Sequence, residues 1–154
     1  MDENADSLLF DALLLPEVVE DASSLTMLGL KGFGVIERSS GKLIPTERAR
    51  RADKIRVCYT VPQNKLAQSG DTEFYVQVLD PKDNVLGANE QVVFDEGIKT
   101  LNYSMISKFN YENSSLDVCE FVASNGDEKF EKGRYVVNVF NKNELLSTST
   151  FTLK

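Results

Sequence analysis

From Leu25 onward the chain alternates apolar and polar residues with a period of two, and clusters of turn formers break the alternation at short intervals. Leu101, Tyr103, Met105, Phe109 and Tyr111 share one parity, and Asn102, Ser104, Lys108 and Asn110 the other. Ile55, Val57, Tyr59 and Val61 alternate in the same way with Lys54, Arg56, Cys58 and Thr60, and Phe74, Val76 and Val78 with Tyr75, Gln77 and Leu79. Successive strand residues point to opposite faces, so each segment predicts a strand with one buried side. The turn clusters are "DPKDN" (80–84), "YENSS" (111–115), "SNGDE" (124–128) and "FNKNE" (140–144). Between them the pattern predicts about eight strands, at 25–36, 53–61, 73–79, 91–94, 98–109, 115–123, 134–140 and 145–153. The last two read as an edge-closing hairpin. No helical stretch separates the strands to carry parallel crossovers, so the expected fold is all-β, an immunoglobulin-like antiparallel β-sandwich with a short helical N-terminal arm.

Residues 1–24 have a different texture. Ser7 can cap a short helix in which Leu9 and Leu13, with Phe10 and Leu14, fall on one side, and Pro16 suits the first turn of a second helix. The segment carries seven carboxylates and no basic side chain, whereas 38–56 carries seven basic residues against Glu47 and Asp53. The division expected is therefore an acidic amphipathic arm, 1–24, and a sandwich domain, 25–154. Leu9, Phe10, Leu13 and Leu14 are the docking residues of the arm, directed at a partner groove, its own domain or a second copy. Neither a signal peptide nor a membrane-spanning run is visible, so no direct membrane insertion is expected. A complete chain would be cytoplasmic, and a piece of a longer protein periplasmic or membrane-tethered.

The formal net charge of −7 argues against general nucleic-acid binding, which needs a dominant basic surface. The stretch "KGFGV" (31–35) approaches the motif on which RNA-recognition sheets stack bases, but Val35 and Arg38 stand where two of its aromatic residues belong. It reads instead as a first strand loosened by Gly29, Gly32 and Gly34 for a bulge or a close backbone approach. Arg48, Arg50, Arg51, Lys54 and Arg56 form the candidate binding patch, since arginine forks match carboxylates and other oxyanions.

The chain has no histidine, which removes imidazole bases, Ser-His and Cys-His nucleophile pairs and His-containing metal sites. With no catalytic motif, no cofactor loop and no metal-ligand spacing, a non-enzymatic protein is expected. Asp80, Asp83 and Asn84, like Asn125, Asp127 and Glu128, are explained by turn chemistry without calcium. Cys58 and Cys119 read as two packed thiols within strands, with a disulfide as the alternative in an oxidising compartment.

The segments "TERARRADKIRVCYTVPQNKLAQSGDTEFYVQVLDPKDNVLG" (46–87), "LDVCEFV" (116–122) and "KFEKGRYVVNVFNKNELLSTSTFTLK" (129–154) resemble a family of Bacteroidetes-type bacteria. Its proteins carry a C-terminal β-sandwich behind a membrane helix and a coiled coil, and are sometimes labelled chromosome-partitioning. The resemblance implies a sandwich fold and a bacterial origin. The expected function is a protein-interaction or structural module, acting on a protein partner or a second copy of itself and not on nucleic acid. The alternative is a carbohydrate-binding module that stacks sugar rings on Tyr75, Tyr103 or Tyr111.

Overall fold

The computed structural model describes residues 24–94, 97, 99–124 and 129–154. Ten strands form there: β1 (Leu28–Glu37), β2 (Leu43–Thr46), β3 (Lys54–Val61), β4 (Gly70–Leu79), β5 (Glu90–Phe94), β6 (Lys99–Tyr103), β7 (Met105–Tyr111), β8 (Leu116–Val122), β9 (Gly133–Asn141) and β10 (Glu144–Leu153). One sheet has the order β2-β1-β3-β8, the second β10-β9-β4-β7, and β5 pairs with β6 as a separate hairpin. Every pairing is antiparallel.

The alternation explains the layering. Ile55, Val57, Tyr59 and Val61 of β3 turn inward to meet Phe74, Val76 and Val78 of β4 and Tyr135, Val137 and Val139 of β9 in one buried cluster. A shift of one residue in any of these strands would expose its whole apolar set, so the pattern specifies the register. The turns use the chemistry expected of them. In "DPKDN" the Asp80 Oδ1 accepts hydrogen bonds from the backbone N–H groups of Lys82 and Asn84, both at 2.8 Å, which occupies that carboxylate within its own turn. Asn125, Asp127 and Glu128 of the other acidic turn lie outside the described residues.

The glycines of β1 have the predicted use. Gly29 takes φ +63° at a register shift between Leu28 and Lys31. A Cβ on Gly32 would lie 2.8 Å from the Phe151 ring and 2.9 Å from a Val137 methyl. Only a residue without a side chain lets β1 pass this close to the opposite sheet.

Two parts of the sequence reading change. The run 98–109 divides at Ser104: its N–H donates to the Val76 carbonyl at 2.7 Å and its Oγ accepts from the Val78 N–H at 2.9 Å. The unbroken parity had hidden this pivot, at which the chain passes from the β5–β6 hairpin into the second sheet. The region after β1, read from the sequence only as a run of basic residues, contains β2. Arg38 and Lys42 close a turn with Gly41 at φ +89°, and Ile44 then stands opposite Ile36. Residues 1–23, with the expected helical arm and Leu9, Phe10, Leu13 and Leu14, lie outside the described residues.

Candidate functional site

The segment that follows β2 is built from small buried residues. Ala49 and Ala52 are almost wholly buried and bracket a 3-10 turn, Ala49–Arg51, so the arginines between and beside them are forced outward. The end of β10 anchors this turn, since the Ala49 N–H donates to the Lys154 carbonyl at 2.8 Å and the Lys154 N–H to the Glu47 carbonyl at 2.6 Å. The Arg48 N–H also donates to the Thr46 hydroxyl at 3.1 Å. The result is a cleft of about 560 Å³ at one end of the sandwich, carrying the side chains of Arg48, Arg50, Arg51, Lys132 and Lys154, with Glu47 the one acid among its described lining residues. Glu47 sits 3.3 Å from the Lys154 Nζ. Both partners are largely exposed, and such pairs contribute at most about 1 kcal/mol.

The predicted patch is thus divided. Arg48, Arg50 and Arg51 line the cleft, whereas Lys54 and Arg56 project from β3 onto the outer face of the first sheet. There the Lys54 Nζ lies 5.3 Å and the Arg56 guanidinium 5.6 Å from the centre of the Phe121 ring, in cation–π geometry. Lys54 also pairs with Glu37 at 3.1 Å. The separation follows from strand parity and from the turn, which aims the arginines past the sheet end. Lys132 and Lys154 were missed because no local pattern marks a lysine distant in sequence as a neighbour of the 48–51 turn.

The same outer face carries the cysteines. Cys58 and Cys119 are directly opposed in the β3–β8 register, with Cα atoms 4.1 Å apart, and they are bonded as a disulfide. The expectation of two packed thiols is therefore corrected. Both fall on the outward parity of their strands, where Cys119 is exposed and no core surrounds the sulfurs.

None of the three tyrosines proposed for sugar stacking is exposed. Tyr111 is fully buried, its hydroxyl donating to the Pro62 carbonyl at 2.9 Å and accepting from the Asn64 N–H at 2.7 Å. Tyr75 packs between Phe94 and Tyr103, at centroid distances of 5.8 and 5.0 Å. Tyr103, the last residue of β6, is buried against Tyr75 of β4, and burial, then Glu90, raises its pKa. Tyr75 and Tyr103 instead dock the β5–β6 hairpin onto β4, with the Gln77 side chain donating to the Asn102 carbonyl at 2.8 Å.

The Glu120 carboxylate lies on the inward parity of β8. The Ser107 hydroxyl donates to the Glu120 Oε2 at 2.6 Å and so accepts from the Tyr59 hydroxyl at 2.7 Å. Burial pushes the Tyr59 pKa up to about 12; the Ser107 hydroxyl, which can turn toward a phenolate, opposes the shift and the Glu120 charge adds to it. An inward charge on β8, which pairs on one side only, discourages a foreign strand from adding there. Among the described residues, no group of three or more His, Cys, Asp or Glu side chains could hold a metal ion, and no helix is long and apolar enough to cross a membrane.

The topology defines the class. Strands β1, β3 and β8 occupy the A, B and E positions of an immunoglobulin sandwich, β4, β9 and β10 the C, F and G positions, and β7 the C′ position. Tyr135, near the start of β9, donates its hydroxyl to the Glu131 carbonyl at 2.7 Å, which is the tyrosine corner of that fold. Val137, two residues on, stands where antibody domains place an inter-sheet cysteine, and the disulfide here lies within one sheet instead. The chain belongs to the DUF8428 family, a domain of unknown function that matches residues 29–154. An immunoglobulin-like protein from Pseudomonas aeruginosa is similar at 17% identity, covering 86% of this chain and 98% of that one, with a TM-score of 0.39. No curated protein matches the chain.

Proposed function

We propose that this sandwich is a non-enzymatic protein-interaction module of bacterial origin that grips a carboxylate-rich segment of a protein partner in the cleft between Pro45 and Arg51. The observation that carries the reading is the convergence of Arg48, Arg50, Arg51, Lys132 and Lys154 on one concave surface of a chain whose net charge is −7. Arginine forks pair with carboxylates through two parallel hydrogen bonds, and a backbone anchored on β10 reduces the ordering cost of binding. The partner would be held by charge and steered to the cleft at low ionic strength.

The test is fluorescence anisotropy of a labelled oligo-glutamate peptide with the full chain, the Arg50→Glu/Lys132→Glu variant, and a control reversed elsewhere at Lys108. The cleft variant should bind about tenfold or more weakly, a loss of roughly 1.4 kcal/mol, and the wild-type affinity should fall with salt. Equal binding by all three proteins would overturn the assignment. Tighter binding of an oligonucleotide of equal charge would make the cleft a nucleic-acid site and overturn the choice of partner.

A further inference from the structure

A second surface, independent of the cleft, lies on the outer face of the first sheet. The strand register brings Phe33 opposite Arg56, and Arg56 opposite Phe121. Leu28 and Phe121 leave 58% and 41% of their surface exposed although both are large and apolar. The Arg56 Nε is buried against the sheet with no hydrogen-bond partner, which costs a donor its hydration without return. Two acids share the face, and each is engaged at one end of it: Asp117 accepts from the Thr60 hydroxyl at 2.7 Å and Glu37 pairs with Lys54. Among the described residues, neither Lys31 nor Arg56 has a carboxylate ion-pair partner. Between those ends the surface is apolar and positive, over a floor tied by the Cys58–Cys119 disulfide.

We propose that this face is the seat of the chain's own residues 1–23. Charge and pattern match: that segment brings seven carboxylates, no basic residue, and Leu9, Phe10, Leu13 and Leu14 at helical spacing. The position matches as well. Ser24 lies at the end of the sheet where β1 begins, its carbonyl accepting from the Asn64 side chain at 3.4 Å, just beyond the end of β3. From Leu28 to Val35 the face runs roughly 23 Å. A segment of 23 residues spans about 35 Å when wholly helical and more when extended, which is enough to cover the face. The apolar side of the segment meets Phe33 and Phe121, and its carboxylates supply acceptors for Arg56 and Lys31.

Hydrogen exchange of the full chain, read by mass spectrometry on peptides covering 8–15 and 116–122, tests this. The wild-type amides at 8–15 should exchange roughly tenfold or more slowly than unstructured chain, and the protein should scatter light as a monomer. Leu9→Ser/Leu13→Ser and, separately, Arg56→Glu/Phe121→Ser should each abolish that protection. The first pair lies in the arm and leaves the sandwich untouched, so a folding defect in the second pair cannot imitate the result. Exchange at the unstructured rate in the wild type would overturn the proposal, as would protection that survives Arg56→Glu/Phe121→Ser. Protection that appears only as the scattering mass doubles would assign the face to a second copy and overturn the intramolecular seat.

Discussion

Breaking the Cys58–Cys119 bond, by reduction or by Cys58→Ala/Cys119→Ala, should lower stability through the unfolded chain more than through the folded one. In the folded protein the two residues are already opposed across paired strands, and their sulfurs lie on the outer face, so their loss opens no core cavity. In the unfolded protein the bond closes a loop with a sequence separation of 61 residues. Loop-closure entropy for that length is about 14 cal/mol/K, or about 4 kcal/mol at 25 °C. An unfolding entropy of about 2.1 cal/mol/K per residue corresponds to roughly 3 °C per kcal/mol in a chain of this size, so Tm should fall by roughly 10–15 °C. Differential scanning calorimetry of the oxidised, reduced and doubly substituted proteins measures this. Urea titration should show the m-value rising as the unfolded ensemble expands. The reduced and substituted proteins should agree with one another. A Tm change below about 4 °C with an unchanged m-value would refute the reasoning, because the loop constraint acts wherever the bond exists.

Other substitutions test the packing. Tyr135→Phe removes the hydroxyl that satisfies the Glu131 carbonyl and should cost about 1–2 kcal/mol in urea unfolding with the fold kept. Gly32→Ala should cost about 1–3 kcal/mol, since its methyl would arrive 2.8 Å from Phe151, and a Phe151→Leu partner should recover part of that loss. Tyr59 and Tyr135 both have pKa values raised from 10.0 to about 12, mainly by burial. A group whose folded pKa is raised contributes its full stability below the unfolded pKa and loses it as pH rises through the folded one. The urea midpoint should therefore be level below pH 10 and fall between pH 10 and 12, less steeply in Tyr59→Phe.

The alternation along β3, β4 and β9 carried the sandwich in the sequence, because a half-buried strand must place its apolar residues at every second position and a wrong parity exposes them all. The β9–β10 hairpin and the close approach of β1 at its glycines were legible for the same local reason. Leu43–Thr46 was not, since a four-residue strand containing Pro45 is too short to show a period. Ser104 was read as an ordinary polar position because its partners, Val76 and Val78, are distant in sequence. Tyr75, Tyr103 and Tyr111 could be named from the sequence as candidate stacking rings, but not that the fold would cover them, since their neighbours are distant in sequence.

The binding surfaces divide in the same way. The residues from Arg48 to Arg56 could be found as a run of charge, and composition alone removed histidine chemistry from the protein. Whether that run formed one patch or two depended on a buried Ala49 and Ala52 turning the chain outward before β3 resumed its alternation. Lys132 and Lys154, at the open end of the β9–β10 hairpin, reach the cleft because the Lys154 backbone bonds Glu47 and Ala49, and Cys58 reaches Cys119 because β3 and β8, far apart in sequence, are paired side by side. By itself the sequence determined which face of each strand is buried, since that choice rests on local periodicity and the hydrophobic effect. The tertiary structure decided which outward side chains meet, since long-range pairing brings charges, sulfurs and rings together and leaves no periodic trace along the chain.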